Sequence, residues 1–311
     1  MTKEYDADQL NMFELVSITE RELKEKGVCH FVATNPDLFG FEHNGAFVET
    51  NNGQKLELKS LKAWQDLAEV CCAKLKVPQI EGEKIKVTLS QLQKDNSWHK
   101  VHPSGSEKYG AESDYAKVNK NADPHFVKDY TEALERCKLS KNASILNLGV
   151  NRGDEFEIFE KDPIFKGLDL NLLGIDHSAS AIETAKKRYE KSEQINFLCE
   201  DIETMELAAE NQYDVLVSIN TLHGSKFDGK AVFRHAFQKL LTKSSCVVLG
   251  FPNCRYVDGE VVYGGKMKNF SRHDFSLLLK DLQYYRKYLQ THKKKVYITG
   301  KYTLFLTGIP V

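Results

Sequence analysis

Between residues 144 and 251 short apolar runs alternate with amphipathic helical stretches, a pattern that restricts the chain to a parallel sheet with crossover helices. The runs cover residues 144–149, 172–176, 195–199, 213–219 and 246–251, and helical spacing fills residues 154–159, 180–190 and 230–241. The first run is apolar except for Asn147, as a strand covered on both faces requires. Upstream, Pro124 opens a further helical pattern through Phe126, Val127, Tyr130, Ala133, Leu134 and Cys137. The last pattern differs. Residues 295–299 and 302–307 alternate like strands around a tight turn at Gly300-Lys301, which predicts an antiparallel hairpin closing the sheet.

Residues 1–100 read as a separate, small α+β domain. Asn44-Gly45 and Asn52-Gly53 punctuate strand-like runs at residues 40–42, 46–49 and 55–58, and Asn-Gly there predicts type I′ hairpins. Ser60 caps a helix whose apolar positions are Leu61, Trp64, Leu67, Ala68, Cys71 and Leu75. Residues 85–89 read as one more strand, and no chemical motif stands out. A polar stretch carrying Trp98, His99, His102, Tyr109 and Tyr115 follows, so residues 101–123 are expected to be a linker or lid and residues 124–311 the main domain.

No stretch reaches the ~18 apolar residues of a membrane helix, and the first residues lack the apolar core of a secretion signal, so a cytoplasmic protein without membrane contact is expected. The seven cysteines form no Cys-x-x-Cys pair and no zinc spacing; reduced, mostly buried thiols and no metal are expected. Residues 261–311 hold ten Lys and Arg against two Asp, a net +8 that leaves −9 for the remainder. A solvated helix face is the simplest reading of such a run; an anionic partner such as RNA is the other.

Gly149-Val150-Asn151-Arg152-Gly153 joins the first strand to a helix that begins Asp154-Glu155. Glycines let a backbone approach a ligand closely, and a helix N-terminus offers amide hydrogens and a partial positive charge, so a carboxylate-bearing ligand suits the turn. Asn151 tolerates positive φ, and Asp154 and Glu155 suit the dipole.

This turn resembles the first motif of the class I S-adenosylmethionine (SAM) dependent methyltransferases, with Asn147 in place of the family's acidic residue and Asn151 in place of its middle glycine. Gly174-Ile175-Asp176-His177-Ser178 resembles the second motif, whose acidic residue, here Asp176, holds the ribose hydroxyls; a capping box at Ser180 and Glu183 is expected to follow. Asp201-Ile202 matches the third, which implies contacts of Asp201 with the adenine amino group and of Ile202 with the ring. Residues 213–223 match the fourth and bring Asn220, Thr221, Leu222 and His223 to the site. The resemblance spans about residues 133–311, including the terminal hairpin. It implies a doubly wound, mostly parallel seven-stranded sheet, SAM as cofactor, and cofactor contacts from Asn147, Gly149, Asn151, Gly153, Asp176, His177, Asp201, Ile202, Asn220 and Thr221.

The acceptor is less legible, because methyl transfer from a sulfonium is an in-line displacement that asks the protein mainly for positioning. No Asn-Pro-Pro-Tyr or Pro-Cys follows the fourth strand. His223 is the general-base candidate, with a structural histidine as the alternative. Tyr109 and Tyr115 resemble lid residues, and Arg255, Tyr256, Tyr263, Lys266, Lys268 and Arg272 lie in an insert that could line an acceptor pocket. Tyr284, Tyr285 and Tyr288 have the spacing of core residues. A small-molecule acceptor is expected first, an RNA or protein acceptor second, and a non-catalytic SAM-binding module third.

Overall fold

The computed structural model describes residues 3–40, 42–93, 109–204, 212–223, 227–264 and 275–311. They divide into two compact units, Met1–Ser97 with Tyr256–Val262, and Trp98–Arg255 with Tyr263–Val311. Trp98, His99, His102, Lys266, Lys268 and Arg272, singled out above, lie outside the described residues.

The first unit contains β1 (Glu4–Asp6), α1 (Met12–Lys26), β2 (Val28–Thr34), β3 (Phe47–Glu49), β4 (Lys55–Glu57), α2 (Leu61–Val70), β5 (Ala73–Leu75), β6 (Gln79–Glu81) and β7 (Lys84–Gln91). The sheet runs β1-β2-β7-β5, with β6 also on β7, and Trp64, Phe31 and Leu89 sit in its core. Helix α1 escaped the sequence reading although its signals are present: an Asn11–Glu14 capping box opens it and Gly27, at φ 72°, closes it. Leu75 is not helical as expected; Cys72 takes φ 55°, the helix ends, and Leu75 pairs with Leu89.

The β3–β4 hairpin is not type I′ either. Gly53 alone turns left-handed (φ 79°), and Gly53 N–H donates to Thr50 O (2.8 Å) while Thr50 N–H donates to Gln54 O (2.9 Å), a three-residue loop. Around Asn44-Gly45 only Gly45 is left-handed, and residues 40 and 42 are not in a strand.

The second unit contains α3 (Pro124–Arg136), β8 (Ser144–Leu148), α4 (Glu157–Lys161), β9 (Asn171–Asp176), α5 (Ala179–Arg188), β10 (Ile195–Cys199), β11 (Tyr213–Ile219), α6 (Gly229–His235), β12 (Leu241–Pro252), β13 (Cys254–Val257), β14 (Glu260–Tyr263), α7 (Ser276–Thr291), β15 (Lys294–Gly300) and β16 (Thr303–Pro310). Of the short β13–β14 hairpin, residues 256–262 group with the first unit.

Seven strands form one sheet in the order β10-β9-β8-β11-β12-β16-β15. The first five are parallel, and β16 runs antiparallel to both β12 and β15, the closing hairpin expected above. Alternating side chains supply two cores, as the period of a strand dictates. Ile145 joins Phe126, Tyr130, Ile182 and Phe305 on one face; Leu146 and Leu148 join Phe233, Leu278 and Leu282 on the other. Because the order reverses between β9-β8 and β8-β11, their carboxyl ends bound a crevice, the usual ligand position in such sheets.

All seven cysteines are free thiols, but only Cys29 and Cys246 are buried; Cys199 is exposed and the other four are half-buried. Burial pushes the Cys29 thiol up to about 12, so it stays protonated and inert. No helix among the described residues is long and apolar enough to cross a membrane.

Gly174 shows how tightly the sheet is packed beneath the crevice. A Cβ there would lie 2.7 and 2.8 Å from the two Val150 methyls and 3.0 Å from Phe197. Gly174→Ala is therefore expected to cost about 1–3 kcal/mol by overpacking, read as a lower urea midpoint with an unchanged m-value. An unaltered midpoint would refute this packing.

Candidate functional site

The glycine turn is held by the strand beside it. Gly149 and Val150 N–H both donate to Ile175 O (2.8 and 3.1 Å), and Asn151 N–H donates to Asp176 Oδ2 (2.9 Å). Gly149, Asn151 and Gly153 are left-handed, at φ 75°, 50° and 78°. Gly149 has no room for a Cβ because the Thr221 side chain lies against it, and Gly153 is closed off by Tyr189, whose hydroxyl donates to Gly153 O (2.7 Å). Gly153 N–H donates to Val150 O (2.9 Å). Four amides of the turn are thus engaged within the protein, a correction to the expected cradle of open N–H groups. Nor is the following helix long: a 3-10 turn over Asp154–Phe156 leads into five residues of α4.

Asp176 ends β9 and is 6% exposed. Its Oδ1 accepts from Ser178 N–H (2.9 Å) and its Oδ2 from Asn151, and His177 Nδ1 stands 3.5 Å from Oδ1. Each oxygen keeps acceptor capacity, since an ionised carboxylate offers about four lone-pair sites. Ser178, not Ser180, caps α5, its Oγ accepting from Ala181 N–H (3.3 Å). Ser180 Oγ instead accepts from Ala111 N–H (2.9 Å), which explains why the expected capping box is absent.

Two amide side chains at the crevice are unusual. Asn147, fully buried on β8 opposite Val217 and Gly174, has no hydrogen-bond partner for Oδ1 or Nδ2 among the described residues. Asn220 follows β11 in a left-handed conformation (φ 58°), and its buried Oδ1 likewise lacks a partner among them. A buried polar atom left without a partner costs about 1–3 kcal/mol, so such atoms beside a crevice fit a polar ligand. Thr221 Oγ1 donates to Ile219 O (3.2 Å), Leu222 is buried, and His223 is half-buried beside it. Asp201 is exposed in a turn where its Oδ1 accepts from Glu203 N–H (2.9 Å), and Ile202 is 9% exposed.

Residues 109–122 strap over the turn. Tyr109 and Tyr115 meet edge to face at 5.4 Å, and Asn151 Nδ2 donates to Tyr109 O (2.7 Å). Arg152 donates to Ala116 O and Val118 O, and Asn121 Nδ2 donates to Asp154 O (2.8 Å) and Glu157 Oε2 (2.7 Å). Beneath lies a buried ion pair that sequence reasoning missed, Lys120 Nζ to Glu155 Oε1 at 2.5 Å, with Glu155 1% exposed. Burial pushes the Glu155 carboxyl above its ordinary range; for Lys120 burial acts the other way, but Glu155 beside it outweighs that and holds the ammonium above its usual value. The polar context of Lys120 hid it; an acidic pair directly after a glycine turn was the only signal.

The three insert candidates within the described residues fall on or beside the β13–β14 hairpin. Tyr256 belongs to the first unit, while Tyr263 packs edge-on against Tyr302 (6.4 Å) and tilted against Phe275 (6.1 Å). Arg255 is half-buried in β13. Lys120→Met would leave Glu155 buried without its partner, at an expected cost of about 3–5 kcal/mol at neutral pH. With its folded-state pKa raised above the unfolded value, Glu155 favours folding at low pH and loses that contribution as pH rises through the folded value. Urea unfolding of the variant should therefore show stability falling from pH 5 toward neutrality, more steeply than wild type; parallel profiles would refute the pair.

Residues 145–242 match a family model described as a methyltransferase domain. No curated protein matches the sequence. Among solved structures, a SAM-dependent methyltransferase from Aquifex aeolicus is similar at 14% identity, covering 64% of this chain and all of its own, with a TM-score of 0.46. A putative methyltransferase from Methanococcus maripaludis is similar at 12% identity over 68% of this chain and 98% of its own, TM-score 0.43. The family match runs from β8 to the first residues of β12 within the sheet β10-β9-β8-β11-β12-β16-β15, so this part of the chain is a methyltransferase domain, with SAM as its cofactor.

Proposed function

We propose that the crevice at the carboxyl ends of β8, β9 and β11 transfers the methyl group of SAM to an acceptor held beside Asn220–His223. The observation that carries this reading is that Asp176 ends β9 beside Asn147 and Asn220, whose buried amide atoms (both of Asn147, Oδ1 of Asn220) have no hydrogen-bond partner among the described residues. Bound SAM would supply an electrophilic methyl group on a sulfonium. Asp176 would accept from the ribose hydroxyls, with His177 alongside; Asp201 would accept from the adenine amino group, and Ile202 would pack on the ring. Asn220 Oδ1 suits the amino group of the methionine portion, while Gly149, Asn151, Gly153 and Thr221 shape the turn around it. Asn147 acts from the strand beneath.

His223 follows β11 directly and would take the proton of an acceptor that must lose one. A small-molecule acceptor is the first reading, supported by the strap that brings Tyr109 and Tyr115 together beside the glycine turn. A polyanionic acceptor is the second reading, favoured by the charge of the α6–α7 face.

SAM or S-adenosylhomocysteine should raise the melting temperature, by about 2.7 kcal/mol of added stability at a hundredfold excess over Kd, and Asp176→Ala should abolish the shift. No shift at millimolar ligand would sink the assignment. With labelled SAM and fractionated extract, the reading expects label in small molecules or RNA; His223→Gln should slow transfer about 10²–10⁴-fold while leaving the melting shift intact. Undiminished transfer would remove His223 from the reaction.

A further inference from the structure

Each of the helices α1 to α5 carries at least one ion pair along its surface: Glu22–Lys26, Lys62–Asp66, Glu132 with Lys128 and Arg136, Glu157–Lys161 and Glu183–Lys187. Among the described residues α6 and α7 carry none, and the only acidic residue within them is Asp281. Their cations are nevertheless numerous. Arg234, Lys239, Lys280, Lys287 and Lys293 are exposed on these helices or at their ends, and Lys230 is half-buried. Elsewhere each helix pairs most of its cations, Lys24 and Lys186 being exceptions; among the described residues α6 and α7 pair none within ion-pair distance. A merely solvated face would be expected to follow the rule of the other five helices.

The same face holds a ladder of aromatic rings between those cations. Lys230 Nζ lies 4.6 Å over the Tyr284 ring, and Arg234 donates to the Tyr284 hydroxyl (2.8 Å). Tyr284 stacks toward Tyr288 at 6.4 Å, and Tyr288 on His292 at 4.3 Å, with Phe237 edge-on to His292 at 5.2 Å. Of the three tyrosines expected in the core only Tyr285 is buried; Tyr284 and Tyr288 are half-exposed. From Lys280 to Lys293 the stripe runs about 20 Å by the rise of a helix. The helix itself is tied to the candidate site, because the hydroxyl of the buried Tyr285 donates to Leu222 O (3.3 Å), one residue before His223.

We propose that the α6–α7 face binds single-stranded RNA, as the acceptor or as the carrier of the acceptor; that role, though not the binding itself, rests on the methyl-transfer reading. Cations unpaired by acidic neighbours suit phosphates, and interleaved rings suit unpaired bases, which RNA commonly presents. A duplex would hide its bases from the ladder. An anionic membrane would need apolar groups to insert, and this stripe presents polar-edged rings instead.

The test is fluorescence anisotropy of a labelled mixed-sequence RNA oligonucleotide, titrated at several salt concentrations with the full chain. Wild type should bind, and Lys280→Glu/Lys287→Glu should bind at least tenfold more weakly, with a salt slope reduced by about 0.7 for each phosphate no longer neutralised. The matched change Lys128→Glu/Lys161→Glu, on paired lysines of α3 and α4, should stay within about threefold of wild type. Both variants should keep the SAM melting shift, which shows that the fold and cofactor site are intact. Equal binding by all three proteins, no binding by wild type, or equal competition by anionic vesicles or polyglutamate would overturn the proposal. A missing SAM shift with RNA binding preserved would instead defeat the methyl-transfer reading alone.

Discussion

The Asp176 carboxylate is the joint on which the crevice depends. A charge at 6% exposure is tolerated because two backbone amides, from Asn151 and Ser178, donate to it. The first of those bonds fixes the glycine turn, and the second fixes the entry to α5 just before its Ser178 cap. One side chain therefore sets the end of β9, the shape of the turn after β8 and the start of the next helix, and still has acceptor capacity facing the crevice.

Around that joint the strap and the turn hold each other. Lys120 and Glu155 provide the charged contact, Arg152 and Asn121 the fork of hydrogen bonds, and Asn151 ties Tyr109 down. A buried ion pair is a weak source of net stability but a strict one in geometry, because neither charge tolerates the absence of the other. The strap is accordingly specified in place rather than merely adhering. Charge is managed differently on α6 and α7, where no ion pair occurs among the described residues, and that contrast within one chain underlies the RNA-binding proposal.

Much of this was legible in the sequence wherever the signal was periodic. The run at Ile145–Leu148, apolar except for Asn147, and the alternation of residues 295–307 yield strands because burial on two faces, or on one, leaves a pattern that can be read directly. Local chemistry was less secure. Asn-Gly at residues 52–53 suggested a two-residue turn, but Thr50 and Gln54 close a longer one. Ser180 looked like the helix cap, yet Ser178 takes that role and Ser180 binds the strap. In both cases several nearby residues could make the same short-range bond, and distant packing chose among them.

What the sequence determined by itself was the order of strands and helices over residues 144–251 with the closing hairpin, the glycine turn and the carboxylate that ends the second of those strands, since each depends on neighbours close along the chain. What only the tertiary structure decided was the pairing of groups far apart in sequence: Lys120 with Glu155, Asn151 with Tyr109, and Tyr284 with Lys230 and Arg234. Such pairs leave no periodic trace, because the geometry that joins them is made by the sheet and not by either segment. The same holds for Asn147 and for Asn220 Oδ1, whose lack of a partner among the described residues gains significance only once β8 and β11 lie side by side.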